Sequence, residues 1–246
     1  LIFSLIFYAW GEPIYILLMI FSTVFNYVLG LLIHKYKKCK RITLALFILC
    51  VCINLGILGF FKYYGFFIDN INNIFSLSIN KVTLALPLGI SFYTFQTMSY
   101  VIDVYKSKVP VQKNIISFGT YVSMFPQLVA GPIVQYGDIN TQLNGRKESI
   151  SKFGEGVELF IIGLSKKVLL ANNIGILWTT IKNTPNLELS VLSSWIGIIG
   201  FTFQIYFDFS GYSDMAIGLG KMFGFEIPKN FNYPYISKSV TEFWRR

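Results

Sequence analysis

The stretch FQIYFDFSGYSDMAIGLGKMFGF, residues 203–225, decides how this chain folds, because it is too apolar for water and too polar for lipid. Aromatic and aliphatic side chains dominate it, yet it contains two carboxylates, Asp208 and Asp214. An ionisable side chain at the bilayer centre costs at least about 2.5 kcal/mol, so such side chains face a bundle interior or a water-filled cavity. The stretch therefore predicts a membrane bundle with polar groups inside it.

The composition of the whole chain agrees with a membrane protein. Its 246 residues are 54% hydrophobic and only 13% charged, with a mean hydropathy of +0.56, whereas a soluble domain carries about 25% charged residues. A spanning helix needs about 20 mostly apolar residues. Six stretches approach that requirement: 13–33, 42–61, 82–102, 118–134, 157–178 and 191–209.

These spans predict an all-α, polytopic transmembrane bundle. Residues 1–10 are apolar but too short to span, and we interpret them as the end of a helix that begins earlier. We expect the chain to be incomplete at both termini. No linker is long enough to separate domains, so residues 1–246 are predicted to form one membrane-embedded domain.

The formal charge of +9 is mainly a signal of membrane topology. Five lysines and arginines lie at residues 35–41, between the first two spans, which places this short loop in the cytoplasm by the positive-inside rule. Lys106, Lys108 and Lys113 follow the third span and agree with that orientation. Beyond Asn114 the orientation stays open, because Lys166 and Lys167 lie within an otherwise apolar stretch. Nucleic acid is not an expected partner.

The segment FPQLVAGPIVQY, residues 125–136, predicts a broken helix. Pro126 removes a backbone donor inside a hydrophobic stretch, and broken backbone at membrane depth is tolerated only when it is buried in protein or lines a wet cavity. Two structures are compatible with this pattern: a kinked span, or a re-entrant segment whose loop around Gln127 faces a cavity. The short approach, residues 118–126, favours the second.

Within the opening stretch, Gln204 and Asp208 lie one helical turn apart. The turn-prone pair Ser210-Gly211 predicts a break between two helical pieces. Two roles are open for Asp208: it orients a group in a wet cleft, or it is a structural carboxylate that accepts hydrogen bonds from backbone donors at the break. The small residues Ala216, Gly220 and Gly224 have the spacing at which two membrane helices approach closely.

Cysteine and histidine usage predicts neither a metal site nor a disulfide. Cys50 and Cys52 lie about 200° apart around a helix axis, so they cannot share a metal, and Cys39 faces the reducing cytoplasm. The single histidine, His34, lies beside the basic loop. A histidine base for catalysis would have to lie beyond Arg246.

Three segments resemble the membrane-bound O-acyltransferase family, and within it the bacterial alginate O-acetyltransferase branch. They are LPLGISFYTFQTMSYVIDVYK at 86–106, FPQLVAGPIVQY at 125–136, and FDFSGYSDMAIGLGKMFGFEIPKNFNYPYISKSVTEFWRR at 207–246. FYAWGEP at 7–13 and NLGILGFFKYYGFF at 54–67 are similar to that branch as well, so the resemblance covers essentially the whole chain.

The resemblance implies a multi-pass protein of the bacterial cytoplasmic membrane, with broken helices around a central funnel. It implies acyl transfer from acetyl-CoA, or from a relay supplied by it, to hydroxyls of an exported polysaccharide. No bound cofactor is expected, whereas soluble, periplasmic or extracellular partner proteins are. In the family the final FWRR continues into Trp-His, with a further histidine in a later helix, so this chain contains no catalytic residue of its own.

The site residues that we expect form two groups. Candidates for the funnel lining are Gln127, Gln204, Asp208 and Ser210. Candidates for contact with donor phosphate or lipid headgroups are Trp244, Arg245 and Arg246. The alternatives are D-alanyl transfer to teichoic acid within the same family, a transporter built on broken helices, and a membrane scaffold for soluble acetylation proteins.

Overall fold

A computed structural model describes the chain apart from residues 82–84, 129–130, 132–133 and 186–187 and the side chain of Asn144. The described residues form helices and connecting segments without a strand, which confirms the all-α prediction. The helices are α1 Ile2–Gly11, α2 Ile16–Lys35, α3 Lys40–Phe75, α4 Ile90–Tyr105, α5 Ile115–Ser123, α6 Phe125–Leu128, α7 Tyr136–Ile139, α8 Gln142–Gly145, α9 Ile150–Ser165, α10 Asn172–Asn183, α11 Val191–Met222 and α12 Val240–Arg245. A π-helical segment, Lys166–Ala171, joins α9 to α10, and a 3₁₀ turn, Pro234–Ile236, precedes α12.

The chain divides into two compact units. Unit 1 comprises Leu1–Val129 and Ile133–Asn144, and unit 2 comprises Ala130–Pro132 and Gly145–Arg246. The prediction of a single membrane domain with a central funnel depends on how the units are arranged, so it stays a prediction.

Four helices of the described chain are long and apolar enough to cross a membrane: Ile16–Lys35, Lys40–Phe75, Ile150–Asn183 and Val191–Met222. They confirm the predicted spans that begin at residues 13, 42, 157 and 191. The second is much longer than expected. α3 continues past Lys62 to Phe75 and contains 36 residues in all. At 1.5 Å per residue it measures about 54 Å, well beyond a hydrocarbon core of about 30 Å.

The two remaining predicted spans are shorter in the structure. α4 begins only at Ile90, after Gly89 with a φ of +71°, and the start of the predicted span, 82–84, lies outside the described residues. α5 ends at Ser123 and α6 contains only four residues, so a break before Pro126 is confirmed. The choice between a kinked span and a re-entrant segment depends on residues 129–133, most of which lie outside the described residues.

An amide pair joins α2 to α3 inside unit 1. Asn26 and Asn54 are fully buried and exchange hydrogen bonds: Asn26 Nδ2 donates to Asn54 Oδ1 (3.1 Å), and Asn54 Nδ2 donates to Asn26 Oδ1 (2.9 Å). The buried Cys50 thiol also donates to Asn26 Oδ1. Cys52 is exposed, as expected for residues on opposite sides of one helix.

Aromatic side chains fill the core between α4, α5 and α7. Tyr100, Phe118, Tyr121 and Tyr136 are at most 1% exposed, and successive ring centroids lie 4.6–6.0 Å apart. Each tyrosine hydroxyl has a partner; Tyr100, for example, accepts from the backbone N–H of Gln112. Tyr93 and Tyr100 of α4 are buried, whereas Phe95 on the same helix is 41% exposed. Gln96 joins α4 to α5 by a hydrogen bond, and Thr97 bonds only within α4.

Unit 2 is built on a helical hairpin whose two arms touch through glycines. A Cβ atom on Gly163 would lie 2.5 Å from the carbonyl oxygen of Gly211, and one on Gly156 would lie 2.6 Å from that of Gly218. In the same way, a Cβ atom on Gly211 would lie 2.7 Å from the carbonyl oxygen of Gly163, and one on Gly218 would lie 2.6 Å from that of Gly156. The two backbones therefore pack directly on each other, which requires glycine at these four positions.

This contact shows that the predicted break at Ser210-Gly211 is wrong. α11 runs through both residues as one 32-residue helix. The physical reason is that Gly211 lacks a side chain, which lets the backbone of α9 pack directly against α11. Its tendency to form turns is not used here.

The predicted close-contact ladder also involves the wrong residues. Gly220 packs against the side chain of Ile227, which follows the helix, and Gly224 lies beyond the helix end with a φ of +79°. The spacing that brings the helices together is instead seven residues, from Gly156 to Gly163 and from Gly211 to Gly218.

We predict that Asn54→Leu lowers the free energy of unfolding by about 1–2 kcal/mol, because the buried amide of Asn26 loses its partner. Asn26→Leu/Asn54→Leu should be less destabilised than the sum of the single variants. Chemical unfolding in mixed micelles measures both quantities. Asn70→Leu is the matched control, since this amide on the same helix bonds only to the carbonyl of Phe66 in its own helix. Additive effects of the two buried substitutions would contradict the pairing.

Candidate functional site

Two lysine–aspartate pairs link the arms of the unit 2 hairpin. Lys167 Nζ donates to Asp208 Oδ1, and Lys166 Nζ lies 2.5 Å from Asp214 Oδ2. The aspartates share the face of α11 that carries Gly211 and Gly218, because residues three and four apart are neighbours on a helix. The glycine contact thus brings the charged side chains within reach of each other.

Three of the four paired side chains lie far from the helix ends. Lys166 and Lys167 occupy the middle of the continuous helix Ile150–Asn183, and Asp208 lies near the middle of α11. At 1.5 Å per residue, each of these three positions is about 20–25 Å from either end of its helix. A single charge at this depth costs about 2.5–3.5 kcal/mol on insertion scales, so mutual pairing is what makes the charges tolerable there.

A local change of helix type accompanies the lysines. The hydrogen bond from Asn172 N–H returns to the carbonyl of Lys167, five residues back, as the wider π turn requires. Insertions of this kind occur frequently at functional sites. The π segment extends over Lys166–Ala171 and so begins at the first of the paired lysines.

The Lys167–Asp208 pair is not enclosed by unit 2. The two side chains are 40% and 45% exposed, whereas those of Lys166 and Asp214 are 30% and 22% exposed. Contact of an ion pair with hydrocarbon chains is unfavourable, so we expect this side of the hairpin to face water or polar protein. Since α11 has no break at Ser210-Gly211 and Asp208 binds Lys167, the backbone donors expected at a break are not the partners of Asp208. We call the exposed surface around Lys167 and Asp208 the paired-charge face.

One turn before Asp208, Gln204 lines a shallow cavity of about 470 Å³ between α10 and α11. Its amide approaches Gly175, where a Cβ atom would lie 2.8 Å from Nε2. Its Oε1 is buried and has no hydrogen-bond partner among the described residues. The other lining residues are Asn172, Ile176, Thr179 and Thr180. This cavity therefore offers amide and hydroxyl groups beside the paired charges.

Ser210 lies elsewhere on the same helix. It is 1% exposed, and its Oγ has no partner among the described residues, as is also true of Ser213. Ser210 is therefore buried in unit 2, in contrast to Asp208, and does not line the surface that Asp208 occupies.

Gln127 stabilises the end of α5 in unit 1. Both Gln127 and Gln96 donate from Nε2 to the carbonyl oxygen of Tyr121, at 2.7 and 3.0 Å. That carbonyl lies in the last turn of α5, where the helix ends before an ordinary i+4 donor is reached. Gln127 is 3% exposed, so its amide stabilises the break. Whether it also lines a funnel with residues of unit 2 stays a prediction.

The terminal aromatic and basic residues differ in their availability. Arg246 binds Glu242 (Nη2 to Oε1, 2.9 Å) and the carbonyl of Asn232. The Lys238 backbone N–H and then Arg246 hold the pKa of Glu242 below its ordinary value. Trp244 is 81% exposed, and Arg245 is exposed without an ion pair among the described residues. Of the three candidates for contact with donor or headgroups, Trp244 and Arg245 are therefore free to meet a ligand.

The partners of the two aspartates were not predicted from the sequence. Two cations in one apolar stretch, Lys166 and Lys167, and two carboxylates in another are a signal for pairing. The glycines at 156 and 163 were a second signal, because their spacing matches that of Gly211 and Gly218.

We predict that Lys166→Met lowers the free energy of unfolding by about 3 kcal/mol or more, because Asp214 is left as an unpaired charge. Lys166→Met/Asp214→Leu should recover most of that loss. Lys152→Met is the control, since its pair with Glu226 is more exposed and should contribute at most about 1 kcal/mol. Unfolding in mixed micelles measures all three. A double variant as unstable as the single one would refute the pairing argument.

The sequence is similar to those of several known proteins. The chain is 44% identical over 250 residues to the "Probable alginate O-acetylase AlgI" of Pseudomonas aeruginosa, an alignment that covers 100% of this chain and 48% of that protein. It is 35% identical over 272 residues to the "Peptidoglycan O-acetyltransferase" of Helicobacter pylori, covering 99% of this chain and 51% of that protein. The "Teichoic acid D-alanyltransferase" of Bacillus subtilis is 28% identical over 163 residues, covering 65% of this chain and 41% of that protein.

The chain thus spans about half the length of the curated relatives that it matches. The sequence profile described as "MBOAT, membrane-bound O-acyltransferase family" matches residues 109–246, more than half of the chain and all of the paired-charge face. Together with the four membrane-crossing helices, this match shows that the chain belongs to the membrane-bound O-acyltransferase family and is a multi-pass membrane protein.

Proposed function

We propose that the intact protein transfers acetyl groups to hydroxyls of an exported polysaccharide across the cytoplasmic membrane of a bacterium. The observation that carries this proposal is similarity over the whole chain to proteins whose names describe O-acetylation of a glycan polymer. The relative named for D-alanyl transfer is less similar and covers less of the chain, which favours acetyl over D-alanyl transfer.

The paired-charge face supports a role at a hydrated passage. Lys167 and Asp208 remain about half exposed near mid-span, and Gln204 supplies an amide one turn away. A donor in the cytosol and an acceptor outside can meet only if polar groups continue through the hydrocarbon layer. The proposed role of the face is to border that passage and to keep it wet.

The chemistry of acyl transfer defines what the passage must contain. A thioester such as acetyl-CoA, or a relay supplied by it, is already activated, so the barrier lies in deprotonating the alcohol and stabilising the oxyanion. A general base contributes about 10²- to 10⁴-fold, and preorganised donors stabilise the oxyanion. His34, the single histidine of this chain, lies in unit 1 at the basic end of α2. The histidine base is therefore proposed to come from outside this chain, and Asp208 and Lys167 to act as positioning residues.

Two further parts of the proposal concern partners and donor. The exposed Trp244 and Arg245 are proposed to contact either the phosphates of the acyl donor or the lipid headgroups. Soluble or extracytoplasmic proteins are proposed to deliver or receive the acetyl group. A scaffold or a transporter remains the rival function, and an acetylation assay separates these rivals from an enzyme.

We predict that Asp208→Asn in the intact protein lowers the acetyl-ester content of the secreted polysaccharide at least tenfold, because Lys167 loses its anionic partner and the face loses its arrangement. The amount of protein in the membrane should stay near that of the wild type. The measurement combines ester quantification with immunodetection of the membrane fraction. Glu155→Gln is the matched control: it removes the carboxylate that pairs with Lys221 on the same hairpin and should leave acetylation unchanged.

Two outcomes would count against the proposal. If Asp208→Asn removes the folded protein from the membrane, Asp208 is a structural carboxylate and not part of a passage. If the intact protein carries D-alanine or no acyl group to the polymer in every condition, the assignment as an acetyltransferase fails. The charge-reversed variant Lys167→Asp/Asp208→Lys separates the cases, because it keeps an ion pair at this place. If Asp208 is only structural, the variant should contain folded protein and acetylate normally, whereas a positioning role predicts folded protein with low acetylation.

A further inference from the structure

A second candidate site lies in unit 1, at the basic loops where α2 and α4 end and α3 begins. A cavity of about 360 Å³ opens between the last turn of α2, the first turn of α3 and the segment that follows α4. This volume lies within the range of about 300–1,000 Å³ that is usual for small-molecule sites. Its lining residues include Ile33, His34, Lys37, Val104, Lys108 and Val109.

The lining is cationic on one side and apolar on the other. His34, Lys37 and Lys108 supply the polar rim, and no carboxylate is among the lining residues. Among the described residues, neither lysine forms an ion pair with a carboxylate. The floor consists of aliphatic side chains such as Ile33 and Val104, which are buried. A ligand that fits carries negative charge at one end and is apolar next to it.

The backbone at the rim of the cavity adopts a conformation that directs Lys108 toward the cavity. Ser107 has a φ of +58°, although it is not glycine. Its N–H donates to the carbonyl of Val104, and the N–H of Lys108 donates to that of Asp103, which together make a Schellman ending for α4. Glycine is the usual residue at this position, and a side chain there costs free energy. The ending turns the chain sharply, so that Lys108 follows α4 directly into the cavity wall.

We infer that this cavity binds the phosphate headgroup of an anionic phospholipid from the cytoplasmic leaflet. Basic residues in the two flanking loops place this end of the helices in the cytoplasm, where the surface is anionic and basic pockets between membrane helices take lipid phosphates. The apolar floor, at the end of the spans α2 and α3, suits the glycerol and first acyl carbons. A free phosphate would meet the same lysines but would leave this floor uncovered.

The test is lipid retention by the intact protein in detergent, followed by native mass spectrometry with phosphatidylglycerol and phosphatidylcholine as probes. The wild type should retain phosphatidylglycerol preferentially. Lys37→Ala/Lys108→Ala should weaken that binding about 25-fold, since each lysine near an anionic lipid contributes about fivefold. Val109→Trp keeps every charge but fills the cavity, and it should abolish the preference as well.

The matched control is Lys35→Ala/Lys38→Ala. It removes the same amount of charge, from the basic loop that contains Lys37, but neither residue lines the cavity, so binding should change less than twofold. Equal losses in both double variants would reduce the effect to general surface charge and overturn the site. Displacement of the lipid by millimolar inorganic pyrophosphate, without any difference between the two lipids, would overturn the lipid assignment and leave a site for soluble phosphates. Melting curves of each variant exclude unfolding as the cause.

Discussion

The hydrocarbon layer offers no water, so every polar group that enters it needs a partner from the protein. Unit 1 meets this constraint with amides: Asn26 and Asn54 satisfy each other, and Gln96 and Gln127 together satisfy the carbonyl of Tyr121 that the broken helix leaves free. Unit 2 meets it with opposite charges. These amides and ion pairs are thus explained by what they bond, before any catalytic role is considered, whereas the buried Oε1 of Gln204 and the hydroxyl of Ser210 have no partner among the described residues.

The glycines of unit 2 are a precondition for its ion pairs. Four glycines remove the side chains that would hold α9 and α11 apart, and the resulting contact between backbones brings lysines and aspartates within bonding distance. Pairing in turn limits how the helices can slide, because a shift by one turn would separate charges at mid-span. Packing and electrostatics therefore specify the same register, and consistency of that kind is what gives a sequence one structure.

The sequence predicted those features that depend on one segment at a time. The all-α class, four spans, the break before Pro126 and the opposite faces of Cys50 and Cys52 follow from local composition and helical period. The continuity of α11 could not be predicted, because a glycine at position 211 is compatible both with a turn of the chain and with close contact to a neighbouring backbone. The partners of Asp208 and Asp214 were missed for the same reason, since pairing is decided by which helix lies opposite.

The two ion pairs differ in how exposed their side chains are, and this difference says more about function than the presence of the pairs does. If the pairs served only to lock the hairpin, both would be best placed where unit 2 covers them, as Lys166 and Asp214 largely are. Lys167 and Asp208, by contrast, retain nearly half of their exposure near the middle of their helices. Since hydrocarbon is an unfavourable environment for them, the proposed passage would supply the hydrated or polar surface that this exposure requires. A protein that passes an acyl group between two aqueous compartments needs such a surface at this depth, and a helical hairpin that only anchors a protein in the membrane does not.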